Sequence, residues 1–227
     1  MGVGQTASGD PNSWEDGAAI ALRLSQNHAI IFGRDRDLTA AEYTKSRLLG
    51  PCTVMTADVT SASDVSKVVD ACMSMHGRID ILINNVGQHA PEDAVSMSEA
   101  GCESQLRINL GVIYLGCHEL MLIMRAQGHG SMVNNAVVAG IMYLGRRQVS
   151  YSAAKAAVIH FAQAMASTFA ENGVRLNCVI HGPFAGGRWR TDCFACDLTD
   201  CSPILFVSIC GVLPPSRSTH YCLECHD

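Results

Sequence analysis

Residues 132–138 read MVNNAVV, residues 151–169 read YSAAKAAVIHFAQAMASTF, and residues 174–180 read VRLNCVI. The outer two are short apolar runs. The middle one carries Ala154, Val158, Phe161, Met165 and Phe169 at helical spacing, so the stretch reads strand, helix, strand. Two strands joined through a helix run parallel, and such crossovers are right-handed. The same alternation runs upstream. Ala29 to Phe32, Cys52 to Met55 and Ile79 to Ile83 read as strands, and Val65, Val68, Val69, Cys72 and Met75 form a helix stripe able to cover a sheet. The expected fold class is therefore α/β, a doubly wound parallel sheet in three αβα layers.

Such sheets bind ligands outside the carboxyl ends of their strands, near the point where strand order reverses, and the polar motifs fall at those ends. Asp58-Val59 follows one apolar run, Asn84-Asn85-Val86-Gly87 follows another, and Asn109-Leu110-Gly111 lies in a long helical stretch. Tyr151 and Lys155 are one helical turn apart on one face. A phenol holds its proton until about pH 10, but a nearby ammonium favours the phenolate. The pair is expected to draw the tyrosine toward working pH and to move a proton to or from a substrate oxygen.

In this order the motifs resemble those of the short-chain dehydrogenase/reductase family: Tyr-x-x-x-Lys, an Asn-Asn-Ala-Gly turn, and an asparagine in the helix between them. The resemblance covers roughly residues 2 to 182 and implies a Rossmann-like fold. It implies that Tyr151 is the acid/base, that Lys155 lowers its pKa and holds the nicotinamide ribose, and that Asn109 anchors a water relay to Lys155. It also implies a cofactor site built from Gly4, Gly17, Asp35, Asp58, Val59, Asn85, Val86 and Gly87 together with Tyr151 and Lys155. Gly17 opens the helix start that receives a pyrophosphate, Asp58 and Val59 meet the adenine, and the Asn85-Val86-Gly87 turn packs beneath the adenine ribose. Read without gaps from Leu24, Asp35 falls where an acidic residue accepts the ribose hydroxyls of NAD. A register slid by two puts Gly33-Arg34 there, and an arginine suits the 2′-phosphate of NADP. The cofactor expectation is NAD or NADP.

Both ends depart from the family pattern. No apolar strand precedes Gly2-Val3-Gly4, so the first, central strand is expected to be missing, and Glu15 stands where a glycine is usual. A carboxylate there repels a pyrophosphate. The serine that polarises a substrate carbonyl is replaced by Val137 or Val138, a deficit of about 2.7–4 kcal/mol by analogy with other oxyanion donors, with Asn135 a neighbouring substitute. His181-Gly182 replaces the usual Pro-Gly, and no helix or strand period is found from Arg188 onward. The chain divides into a dinucleotide-binding domain, 1–187, and an irregular cysteine-rich tail, 188–227.

Composition narrows the function classes. A formal net charge of −5, with lysines only at 45, 67 and 155, offers no basic stripe for nucleic acid. Residues 1–16 lack the apolar run of a secretory signal and the arginines of a transit peptide, and the longest apolar stretch of the tail, Pro203 to Pro214, falls short of the roughly 20 residues a membrane helix needs. The expectation is a cytoplasmic protein without membrane contact. Of eleven cysteines, five precede residue 188 in mostly apolar segments and read as small buried hydrophobes. Cys193-x-x-Cys196 and Cys222-x-x-Cys225 have zinc-knuckle spacing, but 25 intervening residues with three prolines favour an incidental cysteine-rich tail, and no metal is expected.

Two functions follow. The first is an NAD(P)-dependent oxidoreductase moving a hydride between nicotinamide and a secondary alcohol or ketone. Its glycine loop resembles that of fungal family members and points to secondary metabolism. The second is a catalytically impaired relative with weak or no cofactor binding. The expected partners are a small-molecule substrate and a second copy of the chain in a homo-oligomer.

Overall fold

The computed structural model describes residues 2–4, residues 15–182 and the backbone of residues 204–207. Helices and strands alternate: α1 (Asp16–Gln26), β1 (Ile31–Asp35), α2 (Leu38–Ser46), β2 (Cys52–Thr56), α3 (Ala62–His76) and β3 (Ile81–Asn84). There follow α4 (Glu99–Leu106), a π turn (Arg107–Gly111), α5 (Val112–Gln127), β4 (Gly130–Val137), α6 (Val149–Phe169), β5 (Val174–His181) and β6 (Ile204–Val207).

Local chemistry sets several boundaries. The Asp37 carboxylate accepts from Thr39 N and Ala40 N to start α2, and Ser61 accepts from Asp64 N to start α3. Gly77 at φ 72° and Gly128 at φ 73° stop α3 and α5 in the left-handed conformation that only glycine adopts without penalty.

The strands pair in parallel as expected. β1 aligns with β2 from Ile31↔Cys52 to Asp35↔Thr56, β3 with β4 from Ile81↔Ser131, and β4 with β5 from Gly130↔Val174 to Val137↔His181. Among the described residues no strand joins β1 to β3, so the β1-β2 pair and the β3-β4-β5-β6 sheet face each other across a gap. The gap coincides with the missing central strand expected from the sequence. Among the described residues Gly2 and Val3 enter this gap at its carboxyl end: Gly2 forms one parallel bridge with Arg34, Val3 N donates to the Arg34 carbonyl at 3.2 Å, and Thr44 Oγ1 donates to the Val3 carbonyl at 2.7 Å.

The main core joins Ile113, Cys117 and Met124 of α5, Met132 and Ala136 of β4, Val158 of α6, and Leu176 and Ile180 of β5, each at most 1% exposed. Burying each large side chain contributes roughly 1.5–3 kcal/mol. The predicted stripe of α6 holds at Ala154 and Val158, which are fully buried, and drifts beyond them. Phe161, Met165 and Phe169 are partly buried against the core, whereas Ala162 and Ala166 are covered, because alanine lets the helix backbone approach the sheet. Met75, assigned to the α3 stripe, is exposed.

The expectation of no regular structure beyond Arg188 is corrected by β6, which runs antiparallel to β5 from Cys178↔Val207 to His181↔Ile204. Four residues, ILFV, are too short to show a period. The remaining tail, including both Cys-x-x-Cys pairs, lies outside the described residues. The five cysteines before it are free thiols. One continuous helical stretch, Glu99–Gln127, has the length and apolarity to cross a membrane, but the buried face of α5 belongs to the core.

Candidate active site

Tyr151 and Lys155 lie on the first two turns of α6 and are buried, at 9% and 4% exposure. The Lys155 Nζ stands 5.8 Å from the centre of the Tyr151 ring and donates to the Asn135 carbonyl at 2.8 Å. It reaches there because Gly87 and Gly140 leave room. A Cβ on Gly87 would meet Asn109 Oδ1 at 2.9 Å and Lys155 Nζ at 3.1 Å, and one on Gly140 would meet the Lys155 main chain at 2.8 Å.

Asn109 is wholly buried at the centre of the π turn. Its Nδ2 donates to the Gln88 carbonyl at 2.8 Å and to the Gln105 carbonyl at 2.9 Å, while its Oδ1 accepts from Gln88 N at 3.1 Å. Both polar groups of the Gln88 main chain are thus clamped immediately after the Gly87 turn. π turns inside α-helices are frequent at functional sites.

The turn itself is tied to β4. Asn135 Nδ2 donates to Asn85 Oδ1 at 2.7 Å, so the side chain suggested as a substitute oxyanion donor is already committed to Asn85. Val137 packs with Ala139 and Tyr151 in one apolar cluster, joined by Val138 and Leu144. Where a hydroxyl would polarise a substrate, the phenol has hydrocarbon neighbours. The His89 ring meets the Tyr151 ring edge-on at 6.1 Å. Gln88 and His89 carried no motif signal in the sequence, and Asn135 was singled out there for its side chain, not for the carbonyl that holds Lys155.

Burial decides the electrostatics, and it overturns one expectation. Desolvation, with a smaller push from the Asp16 carboxylate, raises the Tyr151 phenol to about 12. Desolvation brings Lys155 down to about 8. In a dry environment both charged forms are disfavoured, so the lysine does not draw the tyrosine toward neutrality here.

The remaining predicted residues line the carboxyl edge of the sheet. Asp35 ends β1 and its Oδ2 accepts from Gly4 N at 2.8 Å, and a Cβ on Gly4 would come within 2.7 Å of that carboxylate. Gly17 is pressed against Gly2 and Asn85, where a Cβ would collide with the Gly2 carbonyl and lie 2.9 Å from Asn85 Nδ2. A Cβ on Gly2 would in turn lie 2.9 Å from Val86 Cγ2. These contacts join the β1 end of the site to the Asn85-Val86-Gly87 turn. Asp58 accepts from Thr60 N and Thr60 Oγ1 at 2.9 and 2.8 Å, bonds that hold its carboxyl below the usual range, and Val59 is buried in the core. Arg34 is buried and lines the gap between β1 and β3, and desolvation lowers its pKa to about 10.

Residue chemistry fits a dinucleotide at its two ribose ends, with an acidic residue closing β1 and a tyrosine/lysine pair beyond the end of β4. The glycine cradles at Gly17 and Gly87 keep backbone close on both sides. The start of α1 fits less well. Asp16 in its first turn and Glu15 before it place two carboxylates where a helix favours a bound anion only if nothing else neutralises the dipole.

Comparison with known proteins agrees with this geometry. The model of the short chain dehydrogenase family matches residues 17–192. The chain is 35% identical over 171 residues to the 4-formylbenzenesulfonate dehydrogenase TsaC1/TsaC2 of Comamonas testosteroni, a match covering 72% of this chain and 66% of that one. It is 33% identical over 172 residues to the levodione reductase of Leifsonia aquatica, covering 73% and 64%. The chain thus spans slightly under two thirds of the length of these relatives. A crystal structure from Burkholderia xenovorans, assigned to the short-chain dehydrogenases/reductases, superposes with a TM-score of 0.77 at 35% identity, covering 82% of this chain and 70% of that one. With its Tyr151/Lys155 pair, its Asn85-Val86-Gly87 turn and residues 17–192 matched, the chain belongs to the short-chain dehydrogenase family.

Proposed function

We propose that the protein is an NAD(P)-dependent oxidoreductase that interconverts a secondary alcohol and a ketone. The observation that carries this reading is the Lys155 ammonium held by the Asn135 carbonyl beneath Tyr151, with the Gly87-Gln88 peptide locked beside it by Asn109. The nicotinamide, when bound, supplies or accepts the hydride. In the reducing direction the Tyr151 hydroxyl gives its proton to the substrate oxygen as the carbonyl carbon gains the hydride, leaving a phenolate beside Lys155. In the oxidising direction the same oxygen takes the alcohol proton. In its ammonium form Lys155, 5.8 Å from the ring centre, opposes the burial penalty on that phenolate without cancelling it. NAD is favoured over NADP. Asp35 ends β1 with its carboxylate at the Gly4 loop, whereas Arg34 is turned into the protein and is not offered to a 2′-phosphate.

Val137 beside Tyr151 favours a second reading of low turnover. A site without the hydroxyl donor lacks about 2.7–4 kcal/mol of transition-state stabilisation, or roughly 10²–10³ in kcat. A homo-oligomer would use the exposed Tyr114 and Leu122 of α5.

Titration with NADH and NADPH, followed by nicotinamide fluorescence and thermal midpoint, tests the cofactor reading. The expected result is a midpoint rise with NADH at a lower concentration than with NADPH. No response to either at millimolar concentration refutes the enzyme. Where cofactor binds, Tyr151→Phe should abolish ketone reduction while leaving NADH affinity within about twofold, since the hydroxyl acts on substrate.

A further inference from the structure

A ketone reduced at Tyr151 gains from a second donor on its oxygen, and β4 does not supply one. Val137 and Val138 bring hydrocarbon to the phenol, and the Asn135 amide is committed to Asn85 at 2.7 Å. The hydroxyl next to Tyr151 in the chain, that of Ser150, is spent on two sulfurs, 2.8 Å from Met97 Sδ and 3.3 Å from Cys102 Sγ. The His89 imidazole is placed differently. Its ring meets the Tyr151 ring edge-on, with centres 6.1 Å apart and planes at 69°. The phenol is buried and the imidazole exposed, so the two run from the interior of the site to its mouth.

We propose that His89 is the second donor: its ring N–H binds the substrate oxygen beside the Tyr151 hydroxyl and polarises the carbonyl in place of the absent serine. The assignment rests on the alcohol/ketone reading of this site and deepens it. At 6.1 Å between ring centres, a single oxygen can lie within hydrogen-bond reach of both the phenol and an imidazole nitrogen. The main chain around His89 is held on both sides. Asn109, wholly buried, binds Gln88 N at 3.1 Å and the Gln88 carbonyl at 2.8 Å, and the Glu92 carbonyl accepts from Val149 N at the start of α6 at 3.3 Å. Pro91 fixes one further φ between these anchors. A donor positioned before the reaction costs no reorganisation as charge develops on the oxygen. The Asn109 clamp thereby aims the side chain of the next residue. An imidazole also keeps at least one ring N–H whether neutral or protonated. As the carbonyl carbon gains the hydride that the cofactor supplies, the π pair moves to oxygen and takes the Tyr151 proton. His89 donates a hydrogen bond throughout and transfers nothing; oxidation runs the same steps in reverse.

The test uses the full chain loaded with NADH, with acetone, the smallest ketone, as probe. His89→Phe keeps an aromatic edge against Tyr151 without an N–H, and His89→Gln keeps an N–H without the ring. The phenylalanine variant should lower kcat about 100-fold while KM and NADH affinity stay within about threefold, and the glutamine variant should recover at least about tenfold of that loss. A phenylalanine variant within about threefold of wild type overturns the proposal, because ring packing then suffices. So does a glutamine variant no faster than the phenylalanine one. Where acetone turns over too slowly to compare, nitrogen NMR of the histidine-labelled Tyr151→Phe variant with NADH bound decides. Acetone should move the His89 ring resonance, identified by its loss on adding His89→Gln, and an unmoved ring overturns the proposal. Failure of the underlying reading looks different. No binding of NADH or NADPH, or a Tyr151→Phe variant that still reduces acetone, overturns the alcohol/ketone reading and the role of His89 with it. Loss of activity in Tyr151→Phe beside full activity in His89→Phe overturns only the latter.

Discussion

Replacing Asn109 with leucine, which keeps the branched heavy-atom outline, removes the hydrogen bonds of a wholly buried carboxamide to Gln88 and Gln105. Each neutral bond contributes roughly 0.5–1.5 kcal/mol net, and a buried group left without its partner costs about 1–3 kcal/mol. Leucine leaves Gln88 N, the Gln88 carbonyl and the Gln105 carbonyl to find water or go unpaired. The Gln88 groups border the site and recover part of their loss from solvent, so the total should be about 3 kcal/mol. For a chain of this size that lowers the midpoint by roughly 6–12 °C. Asn109→Asp is the sharper control. Its carboxylate still accepts from Gln88 N, but it presents an acceptor to two carbonyl oxygens where the amide presented donors. It should destabilise at least as much at pH 7 and recover as the pH falls and the carboxyl gains a proton. Urea unfolding of the wild type and both variants, with calorimetry over pH 4–8, measures this. A leucine variant within about 0.5 kcal/mol of wild type, or an aspartate variant with no acid recovery, would refute the clamp.

Lys155→Met tests the buried ammonium. The folded pKa of about 8 lies below the ordinary 10.5, so the unfolded chain binds the extra proton between those values. The penalty is full below about pH 8, and wild-type stability rises from there toward pH 10.5. The methionine variant should have the higher midpoint at pH 7, by calorimetry, with the difference shrinking as pH rises. Gly87→Ala pushes a methyl onto Asn109 Oδ1 and Lys155 Nζ and should lower kcat about tenfold or more with unchanged circular dichroism. Asp80→Asn, by contrast, weakens an exposed cluster in which Arg78 and His129 contact one carboxylate at 2.6 and 2.8 Å, and it should cost under about 1 kcal/mol in denaturant.

The strand and helix order was legible because apolar runs and helix stripes are local. Ile31, Met132 and Leu176 point into the core whatever else the chain does. The Tyr151/Lys155 spacing was legible for the same reason, since one helix fixes it. What the sequence concealed depends on partners distant along the chain. Asn135 matters through a carbonyl that holds Lys155 and an amide that holds Asn85. Gln88 matters through its main chain, which no side-chain motif reports. The state of the tyrosine was misjudged because spacing gives the neighbour's charge but not the depth at which both groups are buried. In β6 only four residues pair with β5, less than a periodicity can register.

The π turn at Arg107–Gly111 makes residue count, as well as residue identity, part of the site. An α-helix advances about 100° per residue, so the wider turn rotates everything after it relative to everything before. Deleting one residue from 107–111 would let the helix close into regular α form, and the cost would fall on one of two sets. Either Asn109 swings away from Gln88, or Ile113, Cys117 and Met124 turn out of the core. A chain that must keep both has little freedom to gain or lose a residue here, although substitutions on the outer face of the same helix, at Tyr114 or Leu122, would pass unnoticed by either.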